Sequence, residues 1–326
     1  PAPNRSPSLQ NQPMADEQVQ ALAQELWGDI DGVTVKSRKF GKGIVMSGME
    51  MQEALDAIGL LPDCKLPADN SIHYGHRTLG TSQVYFVSNQ TDKEQVVTPA
   101  FRVTGLQPEL WSATTGDVRT LSGTPGEETT SVPLKLAPYE SVFVVFNQPL
   151  KNTGQGSLEI NYPEETLLSD FPEPWEVSFD SAKRGPKEPV KFESLIDWTE
   201  LDNDQIKYYS GTAIYANSFE IEEVRNKRMK IDLGNLTSSA KVYVNGEYAG
   251  GVWTAPYALD ITDWVKTGTN QLKIEVVNNW MNRLIGDQQL PEEDRPTWAP
   301  FNPYEEDSEL QASGLFGPVK VTRVNY

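Results

Sequence analysis

Residues 238–265 read SSAKVYVNGEYAGGVWTAPYALDITDWV. Apolar and polar residues alternate from Ala240 to Val244, stop at Asn245-Gly246, and alternate again. A period of two puts successive side chains on opposite faces of a strand. Asn-Gly between two such runs supplies the positive φ angles of a two-residue hairpin turn. A hairpin with one apolar face must bury it against a second layer, so the stretch predicts a β-sandwich. Three roles stay open for the hairpin and its Trp-Tyr sequel: holding the sandwich together, binding sugar, or chemistry.

The same period extends on both sides. Strands are predicted at WEVSFD (175–180), VKFES (190–194), IKYYSGTAIYANSFEI (206–221), RMKIDLG (228–234), YALDIT (257–262), NQLKIEVVN (270–278) and PVKVTRVNY (318–326). With the hairpin they make a jelly-roll. The segment from Asn279 to Gly317 interrupts it, and loops beyond about 15 residues are uncommon in compact domains and often functional.

Upstream, SIHYGHR (71–77), SQVYFVSN (82–89), VVTPAFRV (96–103), PELWSATTGDV (108–118), TSVPLKLAP (130–138) and SVFVVFN (141–147) form a second set of strands separated by turn residues, a further sandwich. Before them the period is helical: Val19, Leu22, Ala23, Leu26 and Trp27 share a face that ends at Gly28. Two short strands flank Gly41-Lys42-Gly43, and MEMQEALDAIGLL (49–61) reads as a second helix. The fold class is therefore mainly β, two β-sandwiches preceded by a short α/β remnant. The expected domains are residues 1–66, 67–150 and 151–326.

The charge balance restricts partners. Twenty-eight basic against 46 acidic residues give a net charge of -18, which opposes nucleic-acid binding, since that requires Lys and Arg to displace phosphate counterions. Mean hydropathy is -0.49, and no apolar run approaches the ~20 residues of a membrane span. Cys64 is the single cysteine, so no intrachain disulfide forms; it reads as a structural thiol. The first residues carry neither Met nor a signal peptide's apolar core, and the expectation is a piece of a longer protein.

The ordered motifs YYSGTAIYANSFEI, IDLGNLTSSAKVYVNGEYAGGVW, YALDITDWVKTGTNQLKIEVVNNW and SGLFGPVKV resemble the sugar-binding, galactose-binding-like jelly-roll of glycoside hydrolase family 2. SPSLQNQP, ELWG, GKGIVMSG, HRTLGTSQVYFVSNQ and FRVTGLQPELWSATTGDV are similar to the C-terminal half of family 106 α-L-rhamnosidases. The resemblance implies an Ig-like or amylase-tail-like middle sandwich, a rhamnose-containing glycan as partner and a periplasmic or extracellular location. It also implies an upstream (β/α)8 barrel that carries the catalytic carboxylates. A barrel takes about 250 residues, and the mixed α/β pattern here ends near residue 66. No residue of this chain inherits a catalytic role, and the chain reads as an accessory region of a glycan-degrading hydrolase. Two other readings stand beside it: an independent carbohydrate-binding module, and a purely structural interaction domain. No cofactor is implied; the resemblance allows a structural calcium ion, for which no ligands are assigned.

Acidic pairs such as Glu164-Glu165, Glu222-Glu223, Glu292-Glu293-Asp294 and Glu305-Glu306-Asp307 read as solvated faces. His73 and His76 fall on opposite faces of one strand, which is poor for a shared metal. Gly41-Lys42-Gly43 lacks the spacing of a phosphate loop. Aromatic rings stack on a sugar's C–H face while amides and charged groups bond its hydroxyls. In family 2-type enzymes the jelly-roll lends a loop to the active site, so the carbohydrate-binding candidates are Asn278, Asn279, Trp280, Arg283, Asp287, Trp298 and, after the hairpin, Trp253. Trp198 and Trp264 read as core.

Overall fold

The computed structural model describes residues 2–66, 71–151, 154–171, 174–224 and 228–324. It divides into two compact units, residues 1–63 and 64–326. The expected boundary between residues 66 and 67 adjoins residues 67–70, which lie outside the described residues, as do the last two residues of the expected closing strand.

The smaller unit holds the helix Met14–Trp27, the hairpin Ser37–Phe40 with Gly43–Met46, and the helix Met51–Ala57. The first helix stops where expected: Gly28 adopts φ +58 and its N–H caps Gln24. Phe40 pairs with Gly43, so Gly41-Lys42 is a tight hairpin turn. Its apolar residues find little to pack on. Among its described residues only Ala23 is buried, while Leu22, Val33, Met51 and Ile58 are exposed.

The larger unit contains two antiparallel sandwiches with separate cores. In the first, a five-stranded sheet runs in the order Ile72–Leu79, Ser82–Asn89, Ser141–Pro149, Leu106–Trp111, Val118–Thr120. Shorter strands oppose it, among them Ala100–Phe101, which pairs with Cys64–Lys65. Tyr85, Val87, Phe101, Leu134, Val144 and Phe146 fill the space between, and the Cys64 thiol lies buried among them. The His76 ring stacks on Tyr85 with centroids 4.2 Å apart, and its Nε2 sits 2.8 Å from Gln83 Oε1.

The second sandwich pairs a six-stranded sheet with a four-stranded one. The larger sheet runs Val190–Phe192, Trp175–Phe179, Thr212–Ile221, Gly268–Val277, Ser239–Val244, Glu247–Val252. The smaller runs Thr166–Ser169, Lys320–Val324, Arg228–Asp232, Ala258–Asp260. Alternation decides the facing: Ala240, Val242 and Val244 are buried beside Leu272, Ile274 and Val276, and meet Met229, Ile231 and Val321 from the other sheet. Val244 pairs with Glu247 across Asn245 (φ +53) and Gly246 (φ +88). Asn245 is also stitched inward, donating to Trp264 O and Asn270 Oδ1, each at 2.9 Å.

The predicted strand 206–221 begins late. Residues Asp204–Lys207 form a helical turn and extended pairing starts at Thr212. Asn203 caps that turn from its side chain, a local bond that competes with the ladder. The segment after Asn279 likewise opens on a helix, Met281–Gln288.

Candidate functional site

Strand register places the candidate loops together. Val276 pairs with Ala213 and Ala240, Ala240 with Val252, and Ala213 with Phe179. The chain segments leaving Phe179, Val252 and Val277, and those entering Thr212 and Ser239, therefore emerge from one end of the six-stranded sheet. The Asn245-Gly246 turn lies at the opposite end, since Val244 pairs with Leu272 and Ser239 with Val277.

At the loop end, Asn278 is buried and fully committed. Its Oδ1 accepts from Gly211 N at 3.0 Å, and its Nδ2 donates to Tyr209 O at 2.8 Å and to Ser313 Oγ at 3.4 Å. Asn282, the second residue of the helix and also buried, acts as a substitute strand. Its Nδ2 donates to Gln311 O at 2.6 Å and its Oδ1 accepts from Gln311 N at 2.8 Å. The Asn279 side chain donates to Gln311 Oε1 and accepts from Met281 N, the latter at 3.0 Å. The returning end of the loop is anchored too. Trp198, fully buried, donates from Nε1 to Tyr215 Oη at 2.7 Å, which also accepts from Leu315 N at 3.2 Å. Burial pushes the Tyr215 phenol up to about 12, so it serves as a neutral acceptor.

Arg283 and Asp287 form a shielded ion pair one turn apart, with Nη2–Oδ1 at 2.6 Å and Nε–Oδ1 at 2.8 Å. The other carboxylate oxygen of Asp287 accepts from Thr297 N at 3.0 Å. Asn302 Nδ2 donates to Leu284 O at 2.9 Å. Residues 297–302 thus run back along the helix, antiparallel to it. Every buried polar side chain of this loop is turned inward and satisfied by protein groups, the state that makes an irregular segment rigid.

The rings face outward. Trp280 is 63% exposed, Trp298 84% and Phe301 76%, and Trp253 at the end of its strand is 68% exposed. Asn278, Arg283 and Asp287 sit in the framework; Asn279, Trp280, Trp298 and Trp253 are at the surface. Sequence reading missed Asn282 as the central lock, along with Gln311, Ser313 and Phe301. Nothing local marks Gln311 as the partner of Asn282.

Among the described residues, no three His, Cys, Asp or Glu side chains gather as a metal would need, and no calcium site is assigned. No helix of the described residues is long and apolar enough to cross a membrane. Glu292–Asp294 form an exposed 3-10 turn, and Glu165 is occupied by Lys230 at 3.0 Å and Thr322 at 2.7 Å.

Comparison with known proteins agrees with this architecture. Residues 1–124 match the family model of alpha-L-rhamnosidase, and residues 145–322 that of the sugar-binding domain of glycosyl hydrolases family 2. The structure of a rhamnosidase from Novosphingobium sp. PP1Y superimposes with a TM-score of 0.84 at 33% identity, covering 94% of this chain and 29% of that one. The "Putative beta-glucuronidase" of Formosa agariphila is 34% identical over 188 residues, 48% of this chain and 16% of its own length. A beta-galactosidase of Clostridium acetobutylicum is 28% identical over 169 residues, 46% of this chain and 19% of its own. This chain spans less than a third of each of those proteins. Through residues 145–322 the chain belongs to the family 2 glycosyl hydrolase sugar-binding domains, and residues 1–124 on its N-terminal side match the alpha-L-rhamnosidase family model.

Proposed function

We propose that this chain is a non-catalytic accessory region of an α-L-rhamnosidase-like glycoside hydrolase. It braces an upstream catalytic barrel and presents residues 278–314 to the glycan that the barrel cleaves. The observation that carries this reading is the contrast within the loop. Its polar side chains are spent on holding the backbone, while Trp280, Trp298 and Phe301 stand exposed. Rigid aromatic faces give contact area to sugar C–H groups with little ordering cost. The bracing role draws on the smaller unit, which buries almost none of its own apolar side chains and so lacks the core an independent domain needs.

In this proposal rhamnoside hydrolysis is performed by a carboxylate pair outside the chain. Asn279 is the polar group at the surface beside Trp280. Asn278, Arg283 and Asp287 are positioning residues that fix the rings. The glycan partner contains rhamnose, and the setting is extracytoplasmic glycan degradation. The test is turnover of an aryl α-L-rhamnoside by the protein extended upstream through its barrel. Trp280→Ala and Trp298→Ala should lower kcat/KM without lowering the melting temperature, and the 326-residue chain alone should give no turnover. Unchanged kcat/KM in both variants contradicts the loop's role. Turnover by the chain alone, lost on mutation of one of its carboxylates, contradicts the accessory reading.

The same exposed rings favour a second reading, an independent carbohydrate-binding module. It requires saturable glycan binding by this chain with no barrel present.

A further inference from the structure

A second concave surface lies between the two sandwiches of the larger unit, and it shares no residue with the 278–314 loop. It encloses about 380 Å³. Its floor is the edge strand Glu247–Val252, which among the described residues pairs only with Ser239–Val244. The outer side of an edge strand carries unpaired N–H and C=O groups. Here the strand is glycine at 250 and 251, the first half-buried and the second exposed. Gly250 adopts φ +152, and a Cβ there would meet Leu259 Cδ1 at 2.9 Å, so a side chain at 250 would be strained and would crowd the leucine that lines the cleft.

The walls supply charged and hydroxyl groups in alternation. Arg228 reaches Asp260 Oδ2 from Nε at 3.3 Å and Asp117 Oδ1 from Nη2 at 3.8 Å. The Thr115 hydroxyl donates to Asp117 Oδ2 at 2.9 Å, and Thr262 N donates to Asp260 Oδ1 at 2.8 Å. The Asp263 carboxylate also lines the cleft and has no partner among the described residues. Leu259 and Trp264 add apolar surface. Donors next to acceptors, with an apolar wall, suit a ligand bearing several hydroxyls, each of which both gives and takes a hydrogen bond.

The charge balance narrows the class. Three carboxylates face one guanidinium, so an anionic sugar or a phosphate is repelled. The carboxylates are not grouped for a metal ion. The volume lies at the low end of the roughly 300–1,000 Å³ of ligand sites, which suits a single sugar unit better than an extended chain.

We propose that this cleft is a second glycan subsite, binding one neutral monosaccharide unit against the Gly250-Gly251 backbone and the Asp263, Asp117 and Arg228 side chains. The subsite is independent of the aromatic loop and survives if the loop's role fails. The experiment is protein-observed NMR of the 326-residue chain titrated separately with L-rhamnose, D-galactose, D-glucose and D-glucuronate. At least one neutral sugar should shift the Gly250 and Gly251 amides saturably, and D-glucuronate should not. Asp263→Ala and Thr115→Val, each with an unchanged melting temperature, should weaken that binding by about tenfold or more. Trp280→Ala should leave it intact. Absence of a saturable shift with all three neutral sugars, equal binding of D-glucuronate, or binding indifferent to both cleft variants overturns the proposal. So does binding lost in Trp280→Ala.

Discussion

The hairpin 238–265 and the loop 278–314 belong to one jelly-roll, yet they are held in different ways. The hairpin is ordered by its backbone. Ladder pairing fixes its register, alternating apolar residues fix its facing, and a two-residue turn closes it. The loop has one short helix and little ladder, and it is ordered by side chains: Asn278, Asn282 and Asp287 replace the strand partners that its backbone lacks. Periodic order is cheap in sequence but presents a smooth surface. Order built from buried amides and an ion pair leaves the outward positions free for exposed rings.

That contrast breaks first at Asp287. Asp287→Ala strands Arg283 in a shielded site and frees Thr297, and should cost about 3–5 kcal/mol in denaturant unfolding. Asp287→Asn keeps an acceptor for Thr297 and should cost less. Equal, small losses in both would mean that the loop is not held by this pair.

Two glycines then separate steric demand from turn geometry. Gly314 adopts φ +116, and a Cβ there would lie 2.5 Å from Trp198 Nε1, so Gly314→Ala adds overpacking and strain of about 1–3 kcal/mol. Gly246 adopts φ +88 with open space around it; Gly246→Ala should cost only about 1 kcal/mol, the left-handed penalty itself. Thermal melts of the two variants should rank in that order.

Acid tests the sheet that opposes the hairpin. Burial raises the Glu165 carboxyl, but Lys230 and the Thr322 hydroxyl outweigh it and hold it below its ordinary value. A depressed folded value means the stabilisation is present above the unfolded carboxylate range and lost as pH falls through the folded one. Lys230→Met should flatten that part of the stability–pH curve; an unchanged curve removes Glu165 from the account. The smallest stability effects belong to the rings. Trp280→Ala and Trp298→Ala should stay within about 0.5 kcal/mol of the parent, because both side chains are exposed.

The sandwiches were legible because burial in them is periodic. Val242, Val244, Ile274 and Val276 announce their facing, and Asn245-Gly246 announces its turn. The helical turn at Asp204–Lys207 is too short to show a helical period, and its Ile206-Lys207 runs on into the stretch that a strand fits. The loop's location was legible from its length and its interruption of the strand pattern. Its internal wiring was not: Asn282 meets Gln311, and Asp197 Oδ1 accepts from Ser313 N at 2.9 Å, pairings set by the return of the chain and not by any local pattern. The charged cleft was illegible for the same reason, since Asp117, Arg228 and Asp260 are brought together only by the packing of two sandwiches.

The central claim is that residues 278–314 face glycan through rings held by an inward-turned polar framework. Its most direct measurement is kcat/KM for an aryl α-L-rhamnoside in the barrel-bearing protein, compared among the parent, Trp280→Ala and Trp298→Ala at matched melting temperatures. The account predicts a clear loss in both variants and no turnover by the 326-residue chain alone. Parental kcat/KM in both variants, or rhamnoside turnover by the chain on its own, would contradict it.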